Sequence, residues 1–187
     1  MQDESYCYGQ CWVDRRGRAC RRRGHATVFH VFENEFPAPT QYEGDTYPSA
    51  FHAFQAARYA RELRAPLHAA EPGGGRSMSV HEARVYGART DLPILPCFLA
   101  RREEIMRAIL RAKFQANAKL LAALLRTGTR PLVYDAACPM WGKAGQNAHG
   151  VILAAVRDEL RLEVAQVFEA AQSAEAQRGA DSNDAPT

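Results

Sequence analysis

The stretch LARREEIMRAILRAKFQANAKLLAALLR, residues 99–126, decides the fold. Each residue of a helix advances about 100° around the axis. On that wheel Ile105, Met106, Ile109, Leu110, Leu120, Leu121 and Leu124 fill one wide apolar arc. The spacing predicts one long helix from about Leu99 to Arg126, stopped by Gly128, with one face in a core. Lys113 and Asn117 interrupt the arc near its middle, one turn apart. Burying an unpaired ammonium group is strongly unfavourable, so Lys113 needs a partner. That partner is either a structural salt bridge or a bound anion or reacting group.

Working outward, Pro48-Ser49 opens a helix expected to reach about Leu63. His52, Gln55 and Tyr59 share one side of it, as a satisfied network or as the polar wall of a pocket. Ser79 caps a short helix to about Tyr86, with Glu82 completing a capping box. A last helix covers about Asn147 to Ala171. Residues 26–33 and 131–135 read as short strands. The segments 35–44, 71–76 and the one holding Pro93 and Pro96 read as loops. The reading is a mostly α, α+β chain: one compact helical domain with a small β element. A basic, cysteine-bearing segment (1–25) precedes the domain (26–171), and a tail (172–187) is expected to be disordered.

The chain has 187 residues, 47% of them hydrophobic, and a net charge of +3. That suits a single globular domain and excludes wholesale disorder. No apolar run approaches the roughly 18 residues of a membrane span. The opening MQDESYCYGQ lacks a basic start and an apolar segment, so no secretory signal is expected and the cytoplasm is the expected compartment. Five cysteines, an odd number, cannot all pair internally. Cys7, Cys11, Cys20 and His25 are read as free thiols and a histidine, with a closed zinc site as the alternative. All 24 basic residues except Lys113, Lys119 and Lys143 are arginine. Arg15, Arg16, Arg18, Arg21, Arg22 and Arg23 form a run that suits nucleic-acid phosphates or, equally, a solvated loop. No H-x-E with P-C-x-x-C is present, which argues against a zinc deaminase.

The segment WGKAGQNAHG, residues 141–150, precedes a strongly apolar helix. The unpaired N–H groups of a helix start favour an anion, and Trp141 offers a face for stacking a base. The spacing is neither Walker nor Rossmann. A tight turn around a core tryptophan is the other reading.

Five blocks together resemble a known family. F-E-N-E-F-P at 32–37 resembles F-S-N-F-Y-P, and Y-P-S-A-F-H-A-F-Q-A-A-R at 47–58 resembles W-P-T-x-E-H-Y-F-Q-A-x-K. A-R-V-Y-G-A-R at 83–89 is similar to A-K-x-x-G-R. M-R-A-I-L-R-A-K-F-Q-A-N at 106–117 and L-L-R-T-G at 124–128 resemble M-x-x-A-L-x-x-K-F-x-Q-N and L-L-x-T-G. W-G-K-A-G-Q-N-A-H-G at 141–150 and V-R-D-E-L at 156–160 resemble the closing W-G-x-G-x-N-x-x-G and R-x-x-L. This is the YbiA-like, or NADAR, family. The resemblance implies a small, largely helical domain and an N-glycoside hydrolase acting on the C1–N bond of a ribosylated or ADP-ribosylated base. The substrate would be a riboflavin-pathway-type ribosylamino intermediate or ADP-ribosyl-guanine, with no metal or cofactor required. It implies phosphate contacts from Lys113 and the helix start at Asn147, stacking on Trp141, and His52 near the glycosidic bond. Asn34, Gln55, Gly142 and Gly150 complete the implied binding set, and Tyr134 is read as a further binding residue.

The chain departs from the family's pattern at three acidic positions. Phe51 stands where the family has the Glu of its E-H pair, Tyr134 where it has another Glu, and Cys138 where it has an Asp. A phenol and a thiol do not replace carboxylates at neutral pH. Glu33 and Glu35 flank Asn34 instead, and Asp135 follows Tyr134. Glu35 or Asp135 is therefore the candidate for the acid/base role. The alternative is a catalytically altered or inactive module that binds a nucleotide or ADP-ribose.

Overall fold

The computed structural model describes residues 31–70 and 75–181, with side chains to 178, and the backbone of residues 6–8, 12–13 and 19–20. The Cys7, Cys11, Cys20 and His25 side chains, the Arg15–Arg23 run and residues 182–187 lie outside the described residues.

The backbone order is β1 (Tyr6–Tyr8), β2 (Trp12–Val13), β3 (Ala19–Cys20), β4 (Thr40–Tyr42), β5 (Asp45–Tyr47), α1 (Ala50–Ala56), α2 (Val80–Gly87), α3 (Phe98–Gln115), α4 (Ala118–Leu125), β6 (Leu132–Tyr134) and α5 (Ala148–Asp181). Among the described residues, the β structure consists of three two-stranded pairs. β1 runs parallel to β6, with Cys7 opposite Val133, while β2–β3 and β4–β5 are antiparallel hairpins. The fold is mostly helical with this small β element, as the patterning predicts.

α3 is the central element, and its two sides serve two cores. Met106, Leu110 and Phe114 pack with Phe32, Leu124, Leu132, Leu153, Val156 and Leu160. Ile105, Ile109 and Phe98 pack with Tyr47, Ala50, Ala53, Ala56, Leu67 and Ala83. The small alanines of α1 let its backbone lie close to α3. Each buried leucine or isoleucine contributes about 1.5–3 kcal/mol of transfer free energy. Among the described residues, no helix is long and apolar enough to cross a membrane.

Several elements differ from the sequence expectation. The long helix is two helices. Asn117 leaves the helical conformation (φ −130°, ψ 90°), and its side-chain amide donates to the Lys113 carbonyl at 2.7 Å. A side chain that takes the backbone's acceptor competes with the helix. α1 ends at Ala56 rather than Leu63. Beyond it the Arg58 and Tyr59 amides turn to carbonyls three residues back, Gln55 and Ala56, and the Arg58 and Tyr59 carbonyls are taken up by Leu95 N–H and Arg64 Nε. Two short 3-10 turns, Arg61–Leu63 and Ala65–Leu67, follow. The 35–44 loop carries β4, whose hairpin turn uses Glu43 and Gly44 at positive φ. Of the strand expected at 26–33, residues 26–30 lie outside the described residues, and Val31 and Phe32 form a tight turn. The tail is helical as far as Asp181. Its Ala, Glu and Gln are strong helix formers, which a reading of low hydrophobicity alone overlooks.

Candidate active site

A cavity of about 210 Å³ opens where four elements meet. The turn before β4 contributes Asn34 and Glu35, α1 contributes Phe51, Phe54 and Gln55, and α3 contributes Met106. The segment from β6 onward contributes Tyr134, Ala136, Cys138 and Trp141.

The Glu33–Phe36 turn is held from three sides. The Phe36 amide donates to the Glu33 carbonyl, and the Phe51 amide donates to the Asn34 carbonyl at 2.8 Å. Lys113 Nζ donates to the Glu33 carbonyl at 2.7 Å. Lys113 is fully buried, and its ammonium lies 5.3 Å from the Phe114 ring centroid and 5.6 Å from that of Phe36. Burial pushes its pKa down to about 7, with Glu33 acting in the opposite direction. Behind the turn, His149 is also fully buried. Its Nε2 meets Asn34 Oδ1 at 2.8 Å, and its ring lies 4.8 Å from that of Tyr134. Burial, and then the charge on Lys113, lower the His149 pKa to about 3. The imidazole is therefore neutral at physiological pH.

The opposite wall depends on close backbone approach. A Cβ on Gly142 would sit 2.0 Å from the Ala136 carbonyl oxygen, and one on Gly150 would sit 2.1 Å from that of Leu132. Glycine is the residue that fits both places. Asn147 adopts positive φ. Its Oδ1 accepts from Tyr134 N–H and its Nδ2 donates to the Leu132 carbonyl, both at 2.9 Å. The asparagine thereby takes the part of a neighbouring strand for β6. Trp141 is half-buried and stands edge-on to Phe54, with ring centroids 5.5 Å apart.

Of the residues expected at the site, Asn34, Glu35, Gln55, Tyr134 and Trp141 line the cavity together. The others lie outside its lining. Lys113 anchors the Asn34 turn from beneath. Gly142, Asn147 and Gly150 shape the loop and its strand. His52 ties α1 to the start of α2: its Nε2 donates to the Met78 carbonyl at 2.9 Å, and Ser49 Oγ donates to its Nδ1 at 2.8 Å. Tyr59 donates to the Tyr86 carbonyl. Asp135 is buried and pairs with Lys143 at 3.0 Å. Among the lining residues, Glu35 is the sole carboxylate.

Glu35 pairs with Arg84 of α2. Burial raises its pKa above the ordinary carboxylate value; Arg84 lowers it and Glu33 raises it. Burial also raises the Tyr134 phenol, helped by Glu35 and Glu33, so it stays protonated. Phe51, Tyr134 and Cys138, the three positions at which the sequence resemblance leads one to expect carboxylates, all line this cavity. Sequence reasoning missed Phe54, Met106 and Arg84. All three lie inside the matched blocks, but apolar and surface-type residues gave no chemical signal. Among the described residues, no group of three or more His, Cys, Asp or Glu could hold a metal ion.

A family model described as "NADAR domain" matches residues 21–161. The N-glycosidase YbiA of Escherichia coli (strain K12) is 31% identical over 145 residues, covering 71% of this chain and 82% of that protein. The N-glycosidase YbiA of Shigella flexneri is 30% identical over the same length. The NMR structure of the E. coli protein YbiA superposes with a TM-score of 0.64 at 26% identity, covering 87% of this chain and 88% of that one.

Proposed function

The chain belongs to the NADAR domain family, and from that membership we propose that it is an N-glycosidase that hydrolyses the C1–N bond of a ribosylated base. The observation that carries this reading is the convergence of Glu35 and Trp141 on one cavity. A volume of about 210 Å³ is below the roughly 300 Å³ at which drug-sized pockets begin. It suits a base with its ribose, while any further phosphate or nucleotide remains outside. Trp141, Phe51 and Tyr134 offer aromatic surface to the heterocycle, and Asn34 and Gln55 offer hydrogen bonds that orient it.

Hydrolysis needs a proton on the departing nitrogen and an oxygen on C1. Glu35, whose burial favours the neutral carboxyl, donates the proton as the C1–N bond breaks and its electron pair moves to the base. The ribose is left as an oxocarbenium-like species. The resulting carboxylate stabilises that cation and then takes a proton from the water that bonds to C1. One carboxylate serves both steps because they are sequential.

The test is release of free base, followed by chromatography, from a ribosylamino-pyrimidine phosphate and from an oligonucleotide carrying ADP-ribosyl-guanine. E35Q is expected to lower kcat by about 100-fold or more, whereas D135N, outside the cavity, leaves it within severalfold. Wild-type turnover in E35Q removes the assigned acid.

A second reading has its own support. Phe51, Tyr134 and Cys138 leave the cavity with fewer acids than the family pattern, which favours a module that binds a ribosylated ligand without turnover. Tight binding of ADP-ribose with no base release from either substrate selects it. A nucleic-acid-borne target is part of the same proposal, with Arg15 to Arg23 on its phosphates. Steep salt dependence of DNA affinity, lost on deleting residues 1–25, is the expected signature.

A further inference from the structure

We propose that Arg84 is the phosphate-binding group at the rim of this cavity, and that a phosphorylated ribose draws its guanidinium away from Glu35 and so releases that carboxyl for proton transfer. The phosphate site rests on the ribosylated-base reading of the cavity together with the position of Arg84. The release step rests on the hydrolase reading above.

Arg84 projects from α2, which is fixed by the Ser79–Glu82 capping box and packs on α1. Its guanidinium pairs with Glu35 and lies 5.3 Å from the Phe51 ring centroid. Both partners line the cavity, while the Arg84 side chain is 58% exposed. The cation thus stands between the cavity wall and solvent. Other nearby cations are differently placed. Lys113 is sealed beneath the Asn34 turn. Lys143 is paired with Asp135. Arg58 lies over Phe98 and reaches one lining residue, Gln55, at 3.5 Å, the outer limit of a hydrogen bond.

The cavity admits a base and its sugar, so a phosphate on that sugar falls at the rim, within reach of Arg84. A guanidinium binds phosphate through two parallel N–H donors, and a dianion competes well with one carboxylate. The charged and titratable groups acting on Glu35 are Glu33 on the same turn and Arg84 on α2. Tyr134, from the β6 side, is coupled to Glu35 and to Cys138. Of these, Arg84 is the group that favours ionised Glu35. Once it turns to phosphate, burial and Glu33 act unopposed. Glu35 takes up a solvent proton and holds it for the leaving nitrogen. Substrates without the phosphate leave the ion pair closed.

The experiment uses the full chain with ribose 5-phosphate and ribose as probes. Calorimetry gives affinities, and 13C NMR of the Glu35 carboxyl follows its titration. Wild type is expected to bind ribose 5-phosphate, R84Q about tenfold or more weakly, and R84K in between, with ribose affinity unchanged in all three. E35Q removes the competitor and is expected to tighten ribose 5-phosphate binding severalfold. Ribose 5-phosphate is expected to raise the titration midpoint of Glu35 in wild type, whereas R84Q starts high and does not respond. Absence of binding, equal affinity in R84Q and wild type, or an unmoved Glu35 midpoint each overturns the proposal. Base release by wild type with equal ribose 5-phosphate affinity in R84Q removes the phosphate site and leaves the hydrolase. Arg84-dependent binding without base release from any substrate does the reverse.

Discussion

Replacing Lys113 with methionine should abolish a pH dependence of stability that the fold creates. The ammonium group is fully buried, and its pKa falls from 10.5 to about 7 because burial disfavours the charge. In the unfolded chain the lysine keeps its ordinary value. Between about pH 7 and 10.5 the unfolded state therefore binds more protons, and stability rises with pH across that window. Each tenfold change in a protonation constant is worth about 1.4 kcal/mol, so the full rise is on the order of 4–5 kcal/mol. Above about pH 10 the tyrosines act the other way: burial raises Tyr47 and Tyr59, so ionisation then favours unfolding. The usable range is pH 6–9.5. Methionine has nearly the same length, removes the charge and loses one hydrogen bond to the Glu33 carbonyl, worth about 1 kcal/mol. K113M should exceed wild type by roughly 2–4 kcal/mol at pH 6, with the two converging by about pH 9.5. Urea unfolding followed by tryptophan fluorescence across this range measures both curves. A wild type whose stability is flat or falls from pH 7 to 9, or a K113M that keeps the wild-type slope, refutes the reasoning.

His149, with its pKa lowered to about 3, should make stability climb from pH 3 to 6.5, and the larger part of that slope, which burial causes, should survive in K113M; H149F removing no part of it in urea titrations extended down to pH 3 counts against a buried neutral imidazole. N147A loses both hydrogen bonds to β6 and places alanine at positive φ, so a loss of roughly 2–3 kcal/mol is expected in thermal unfolding. Truncation after Glu163 removes residues that are exposed throughout to Arg178 and keeps the pairing of Glu163 with Arg111; its Tm should stay within a few degrees of the full chain.

The core and most helices were legible because burial imposes a period on the sequence. The Ile105–Leu110 positions, the Ser79–Glu82 box and the Leu132–Tyr134 strand follow from local pattern alone. The break at Asn117 was not legible, since asparagine is tolerated in many helices. Its effect here depends on its own amide reaching the Lys113 carbonyl. For the candidate site, residue type identified polar groups but not which way they face. Asn34, Glu35 and Gln55 face the cavity, whereas His52 and Lys113, equally suggestive in sequence, are bonded to backbone carbonyls beyond its lining. A carbonyl distant in sequence, Met78 for His52 and Glu33 for Lys113, settles each direction. Periodicity carries no information about such a partner.

These supporting contacts give the buried lysine and histidine a common purpose. Lys113 holds the Glu33 carbonyl and His149 holds the Asn34 side chain, so two consecutive residues of the turn are fixed from below, one by its backbone and one by its amide. Neutral His149 donates from Nε2 to Asn34 Oδ1, which leaves the Asn34 amide hydrogens directed elsewhere. Asn34 lines the cavity, so that is where a donor can be used. The next residue is Glu35, whose carboxyl reaches the same cavity and Arg84. A mobile turn would let Glu35 swing toward solvent and recover its ordinary acidity. A turn clamped at the two preceding residues keeps the carboxyl in the partly buried position that favours its neutral form. The energetic burden of burying Lys113 is thus coupled to the protonation of the sole carboxylate among the lining residues, which gives a reason for an amine to stand where a leucine would stabilise the core more.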